Sequence, residues 1–162
     1  MKVDEIKILI IVIVIVILLF AYKIYKKRKE MIRECKFFKS SEFDSPDAPG
    51  SGKNMQHSTL LMLCQARKIS GVPFVINSGL RTIEHNKAVG GVANSAHLKG
   101  YASDIATPNG KNQILILRAL RLAGFKRFGV YNNFIHVDND PSKTQFVAWG
   151  TKSKDINPFN LA

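Results

Sequence analysis

The sequence predicts an α+β protein in which a small antiparallel sheet flanked by helices follows one apolar N-terminal helix. Three observations carry this prediction. Residues 8–22 read ILIIVIVIVILLFAY without a charge. Residues 56–69 and 111–123 repeat apolar side chains near a helical period. Four short segments suited to strands (74–77, 102–106, 128–131 and 134–138) alternate with or follow them. At 162 residues the chain has room for one compact core.

The first element is an anchor over residues 1–23. As a helix its apolar run covers about 22 Å at about 1.5 Å per residue, somewhat less than a hydrocarbon core of roughly 30 Å. Val3 and Ile6 lengthen it, Lys7 and Lys23 can reach outward to water, and Tyr22 and Tyr25 suit the headgroup zone. A buried strand is the alternative, but strands usually run about five or six residues. A cleaved signal peptide fits less well, since Asp4 and Glu5 spoil a positive leader and no A-x-A site closes the run. A single-pass membrane protein is therefore expected.

Residues 24–53 form a basic juxtamembrane segment and linker. Lys23, Lys26, Lys27, Arg28, Lys29, Arg33 and Lys36 crowd the carboxyl side of the anchor, the side that the positive-inside rule assigns to the cytoplasm. Residues 40–53, SSEFDSPDAPGSGK, then read as a loop entering the globular domain, expected over 37–150.

Within that domain Leu60, Leu61, Leu63, Cys64 and Ile69 give the first helix its apolar face. Asn132 and Asn133 suit a tight two-residue hairpin because Asn tolerates positive φ, and the hairpin places His136 on a strand. Residues 151–162 are short and polar with a proline, and a loosely held tail is expected.

The formal charge of +12 divides into nine Lys or Arg against four acids in residues 1–36, and fifteen against eight in the remainder. A basic surface attracts polyanions of any kind: lipid headgroups, wall polymers or nucleic acid. No aromatic-interleaved basic motif singles out nucleic acid. Cys35 and Cys64 are too few for a disulfide framework or a cysteine-held zinc, and two free thiols are expected.

The chemistry-bearing stretch is SAHLKGYASD, residues 95–104, where His97 and Asp104 flank Gly100. Glycine can supply the turn that brings both side chains to one metal. Imidazole and carboxylate are both good zinc ligands, and a catalytic zinc needs three protein ligands with one position open. His136 is the third candidate: it lies in the apolar strand FIHVD, where an unpartnered imidazole is costly.

This stretch resembles the SxHxxGxAxD pattern of zinc D-alanyl-D-alanine carboxypeptidases, dipeptidases and related phage endolysins, matching at all five fixed positions. INSGLRT upstream is similar to the family's SGxR segment, and FIHVD to its last-ligand strand. FFKSSEFDSPDAPGSG and HNKAVGG look like small peptidases encoded by single-stranded DNA phages. The resemblance implies the hedgehog and D-alanyl-D-alanine peptidase fold. It implies zinc held by His97, Asp104 and His136, substrate bound by Arg81, and Ser95 as a contact to a ligand or to substrate.

Family members place a Glu or His a few residues before the last ligand, but here residues 131–135 are YNNFI. Asp138 is the substitute base, because residues two apart on a strand share a face. It could equally orient His136. Arg81 also has a bland reading as a solvated loop residue. His57 and His85 occupy no ligand position, His85 being at most a pocket-edge contact, and Trp149 is read as a core aromatic.

The implied function is zinc-dependent hydrolysis of peptidoglycan peptide by a membrane-attached enzyme, in a host membrane or the internal membrane of a phage virion. Two alternatives stay open. One is a catalytically silent zinc-binding module of the same fold. The other is a protein whose basic segment binds anionic lipid or packaged genome.

Overall fold

A computed structural model describes residues 3–33, 35, 37–107 and 110–161. The chain divides into residues 1–35 and 36–162.

The first unit is helix α1, Val3–Arg33. Its 21-residue stretch Ile6–Lys26 contains 18 successive residues of mean hydropathy 3.0 and is long and apolar enough to cross a membrane. The helix continues through the basic run to Arg33, so the segment after the apolar stretch begins as helix. Lys36 lies outside the described residues, as do the side chains of Lys27, Arg28, Lys29 and Arg33.

The second unit is a sheet with helices against one face, the α+β arrangement expected. Helix α2 is His57–Ser70 and ends on Gly71 in the left-handed region, the usual way a helix stops. Strand β1, Ile76–Ser78, is followed by the short helix α3, Ile83–Ala88, whose amino end Thr82 caps. Strand β2 is Ala102–Ala106, helix α4 is Gly110–Leu122, and strands β3, β4 and β5 are Arg127–Val130, Phe134–Asp138 and Val147–Trp149. The strand order is β1-β2-β4-β3-β5, antiparallel throughout except that β5 runs parallel to β3.

The period of two along each strand separates the sheet into two faces. Ile105, Phe128, Val130, Ile135 and Val137 are wholly buried, forming one core with Leu63 of α2 and Ile116, Leu117 and Leu120 of α4. The alternate positions carry Asp104, His136, Asp138 and Arg127, so the chemistry lies on the opposite face.

Several expectations need correction. Cys35 and Cys64 are both disulfide-bonded, not free. Distance in the fold decides pairing, and separation along the sequence does not report it. The tail over 151–162 is held, not loose: Pro158 is buried, Phe159 meets Phe128 edge-on at 5.6 Å, and Arg121 donates to the Leu161 carbonyl. The β3–β4 hairpin forms at Asn132 and Asn133 without positive φ, since Phe146 is the one non-glycine residue with positive φ among those described. A stacked Tyr131–Phe134 pair, 4.4 Å between centroids, and a bond from the Thr107 amide to the Asn133 carbonyl hold that turn instead.

Candidate metal centre

The register of the sheet assembles most of the site. Asp104 on β2 lies directly opposite His136 on β4, which lies opposite Gly129 on β3, which pairs with Trp149 on β5. Gly129 leaves the space between them open: a Cβ there would stand 3.0 Å from His136 Cβ and 3.0 Å from the Trp149 indole nitrogen. The imidazole of His136 and the indole therefore approach to 5.5 Å between centroids.

His97 arrives from a tight turn, Ala96–Lys99, outside the sheet. Ser95 caps this turn by accepting the His97 amide at 3.3 Å, and Gly100 ends it at φ +73°. A Cβ on Gly100 would fall 2.7 Å from the Asn54 carbonyl, so the position requires glycine for both space and conformation.

The structure brings the three proposed ligands together. His97 Nε2 is 3.1 Å from His136 Nδ1 and 3.3 Å from Asp104 Oδ1, and the latter pair is 2.9 Å apart. Zinc bonds of about 2.0 Å in a tetrahedron place ligand atoms about 3.3 Å apart, so the triangle has nearly the required size.

The opposite atoms of each ligand explain why it wants a cation. His97 Nδ1 lies 2.6 Å from the Gly79 carbonyl, which can only accept, so that nitrogen carries the proton. His136 Nε2 lies 3.2 Å from Asp138 Oδ2, which makes it the protonated nitrogen of a neutral ring. His97 Nε2, His136 Nδ1 and Asp104 Oδ1 then converge as three lone pairs, which repel unless a metal or a proton lies among them. The residues fit a bound metal.

The electrostatics agree. Burial opposes the charged form of Asp104, yet the neighbouring His136 and His97 rings outweigh it and hold the carboxyl far below its usual range. Burial pushes His97 down. For His136 burial acts the same way, but Asp104 and Asp138 overcome it and raise the imidazole above its ordinary value. The same two carboxylates that raise His136 would favour a positive charge, proton or metal, among the three atoms.

Arg81 donates from Nη2 to Asp104 Oδ2 at 2.6 Å and from Nε to Ser78 Oγ at 2.8 Å. It holds the ligand carboxylate and also lines the pocket. Asp138 lies beside the imidazole nitrogen that faces away from the triangle, and its Oδ1 accepts from Arg127 Nε at 2.8 Å and from the Asp140 amide at 3.2 Å. His57 and His85 belong neither to the ligand group nor to the pocket lining.

The pocket over this cluster has a volume of about 420 Å³, within the range of about 300–1,000 Å³ usual for ligand sites. Val89, Val92 and Trp149 give it apolar walls, while Lys143 reaches across to donate to the Asn94 carbonyl at 2.7 Å. Trp149, Arg127 and Lys143 are site residues that motif reading missed. The aromatic at the end of FVAW was the one available hint, and only strand pairing makes it a neighbour of His136.

Comparison with curated proteins finds no match to the chain. The family model for peptidase M15 matches residues 25–138, a span that includes the three candidate ligands and Asp138. The matched span is well over half of the 162 residues and includes the His97, Asp104 and His136 group that could hold a metal, so the chain belongs to the peptidase M15 family of zinc-dependent metallopeptidases, whose members act on peptidoglycan.

Proposed function

We propose that this protein is a membrane-anchored zinc peptidase that cleaves D-alanyl peptide bonds of peptidoglycan, as a carboxypeptidase or endopeptidase of the phage lysin type. The observation that carries the reading is the triangle of His97 Nε2, Asp104 Oδ1 and His136 Nδ1 at the pocket floor, with each imidazole fixed from behind. Bound zinc would activate a water and polarise the scissile carbonyl.

The chain's own residues do the rest. Arg81 neutralises Asp104 and leaves part of its guanidinium at the pocket for a substrate carboxylate or a developing oxyanion. Ser95 keeps His97 in place through its amide. Asp138 is assigned to orient His136, because both its oxygens are engaged and it faces the ring nitrogen opposite the metal position. The apolar walls from Val89, Val92 and Trp149 suit short aliphatic side chains such as alanine.

Disulfide-bonded cysteines suit an oxidising compartment. That favours a domain outside the cytoplasm despite the basic run after the anchor, and a wall-cutting enzyme belongs there. The anchor itself would be the single pass Ile6–Lys26 in a host or virion membrane.

One observation favours a second reading, a binding module without turnover. Among the described pocket residues every carboxylate and imidazole is committed to the ligand cluster or to orienting it, which leaves no spare general base. The test is zinc content and peptide release from purified peptidoglycan by the full chain in detergent, with His136→Ala alongside. The peptidase reading expects about one zinc per chain and release of fragments, both lost in the variant. Zinc binding with an uncut wall would replace it with the binding module.

A further inference from the structure

We propose that Arg127 is a positioning residue for the metal centre, acting on His136 through Asp138 and tying Thr144 and the pocket-lining Trp149 to the same guanidinium. The inference rests on the reading of His97, Asp104 and His136 as metal ligands.

Arg127 opens β3 directly opposite Asp138 on β4, so the two side chains share the site face of the sheet. Its guanidinium makes three different contacts. Nε donates to Asp138 Oδ1 at 2.8 Å, Nη1 donates to the Thr144 carbonyl, and the plane lies over the Trp149 ring at 5.2 Å from its centroid. Trp149 in turn lies 5.5 Å from the His136 ring, and Asp138 Oδ2 lies 3.2 Å from His136 Nε2. The contacts thus run from His136 to Asp138, to Arg127, to Trp149 and back to His136.

Each link constrains a particular freedom. A carboxylate that turns about its terminal bond loses its aim at His136 Nε2, and a bond to its other oxygen stops that rotation. Asp138 is almost fully buried, so an opposite charge is needed as well, and Arg127 supplies both. Lysine offers charge but neither a fixed fork nor a flat face for the indole. The arrangement parallels Arg81 on Asp104: each carboxylate of the centre has its own guanidinium. Arg127 touches no ligand atom of the metal, yet the direction of His136 Nδ1 depends on it.

The experiment measures zinc affinity of the full chain in detergent by competition with a chromophoric chelator, the visible spectrum of the cobalt-loaded protein, and the melting temperature after chelation. Arg127→Gln is expected to weaken zinc binding about tenfold to a hundredfold, the range for residues that orient a ligand, and to alter the cobalt bands. Asp138→Asn should do the same, and the double variant should bind no more weakly than Asp138→Asn alone, because both act along one path. Arg127→Lys should remain weak, and it carries the test if Arg127→Gln does not fold. Additive losses in the double variant would overturn the proposal. So would wild-type zinc affinity in Arg127→Gln or Arg127→Lys with only a lower melting temperature. A wild-type chain that binds zinc but leaves peptidoglycan intact would defeat the peptidase reading and leave this one standing.

Discussion

At the scale of single residues, the site follows from what each ligand does with its second polar atom. His97 gives one nitrogen to the Gly79 carbonyl, and His136 gives one to Asp138. This has a consequence in pH. His136 is raised above its ordinary value because Asp104 and Asp138 outweigh burial. A raised folded value means that its contribution to the metal-free protein is complete below the unfolded value of about 6.5 and is lost as pH rises through the folded one. Metal needs the unprotonated ring. The His136 contribution is read as the melting-temperature difference between chelated wild type and chelated His136→Asn, which should shrink as pH is raised from about 6, while zinc should add more stability to wild type over the same range. Parallel melting curves with and without zinc check both signs. The three candidate ligands, which the structure brings together, were legible in sequence because a motif fixes which residue types occur and in what order. The role of Asp138 was not, since strand period places it on the correct face without saying which ring nitrogen it meets.

At the scale of elements, the turn carrying His97 and the strands carrying the other ligands have different demands. The turn depends on Gly100, at φ +73° and with the Asn54 carbonyl 2.7 Å from any added Cβ. Gly100→Ala should cost about 1–3 kcal/mol, as strained backbone does, read as a lower denaturant midpoint, and should weaken zinc binding by displacing His97. Helices α2 and α4 and strands β2 and β4 were readable to within a residue or two, since each buries one face and shows the period that burial imposes. Strand β5 was not. Its three residues are too few to show a period, and they become a strand only by pairing with β3. With it the sequence reading lost Trp149 as a site residue.

At the scale of the whole chain, the closing segment completes the core instead of trailing from it. Phe159 packs edge-on against the fully buried Phe128, and Arg121 of α4 holds the Leu161 carbonyl. Removing residues 157–162 should lower stability by about 2–4 kcal/mol, comparable to losing a large core side chain, and unfolding in denaturant measures it. A shift below about 0.5 kcal/mol would show the tail to be dispensable. By itself the sequence determined the apolar N-terminal helix, the α+β class, the peptidase family and its three candidate ligands. Those depend on composition, local period and motif, all of which are properties of neighbours along the chain. Only the tertiary structure decided that the two cysteines are disulfide-bonded, that Asp138 stands behind His136, and that Arg127 and Trp149 close around the same ring. Each of these is a contact across strands or between distant segments, set by register and packing, to which no short stretch of sequence has access.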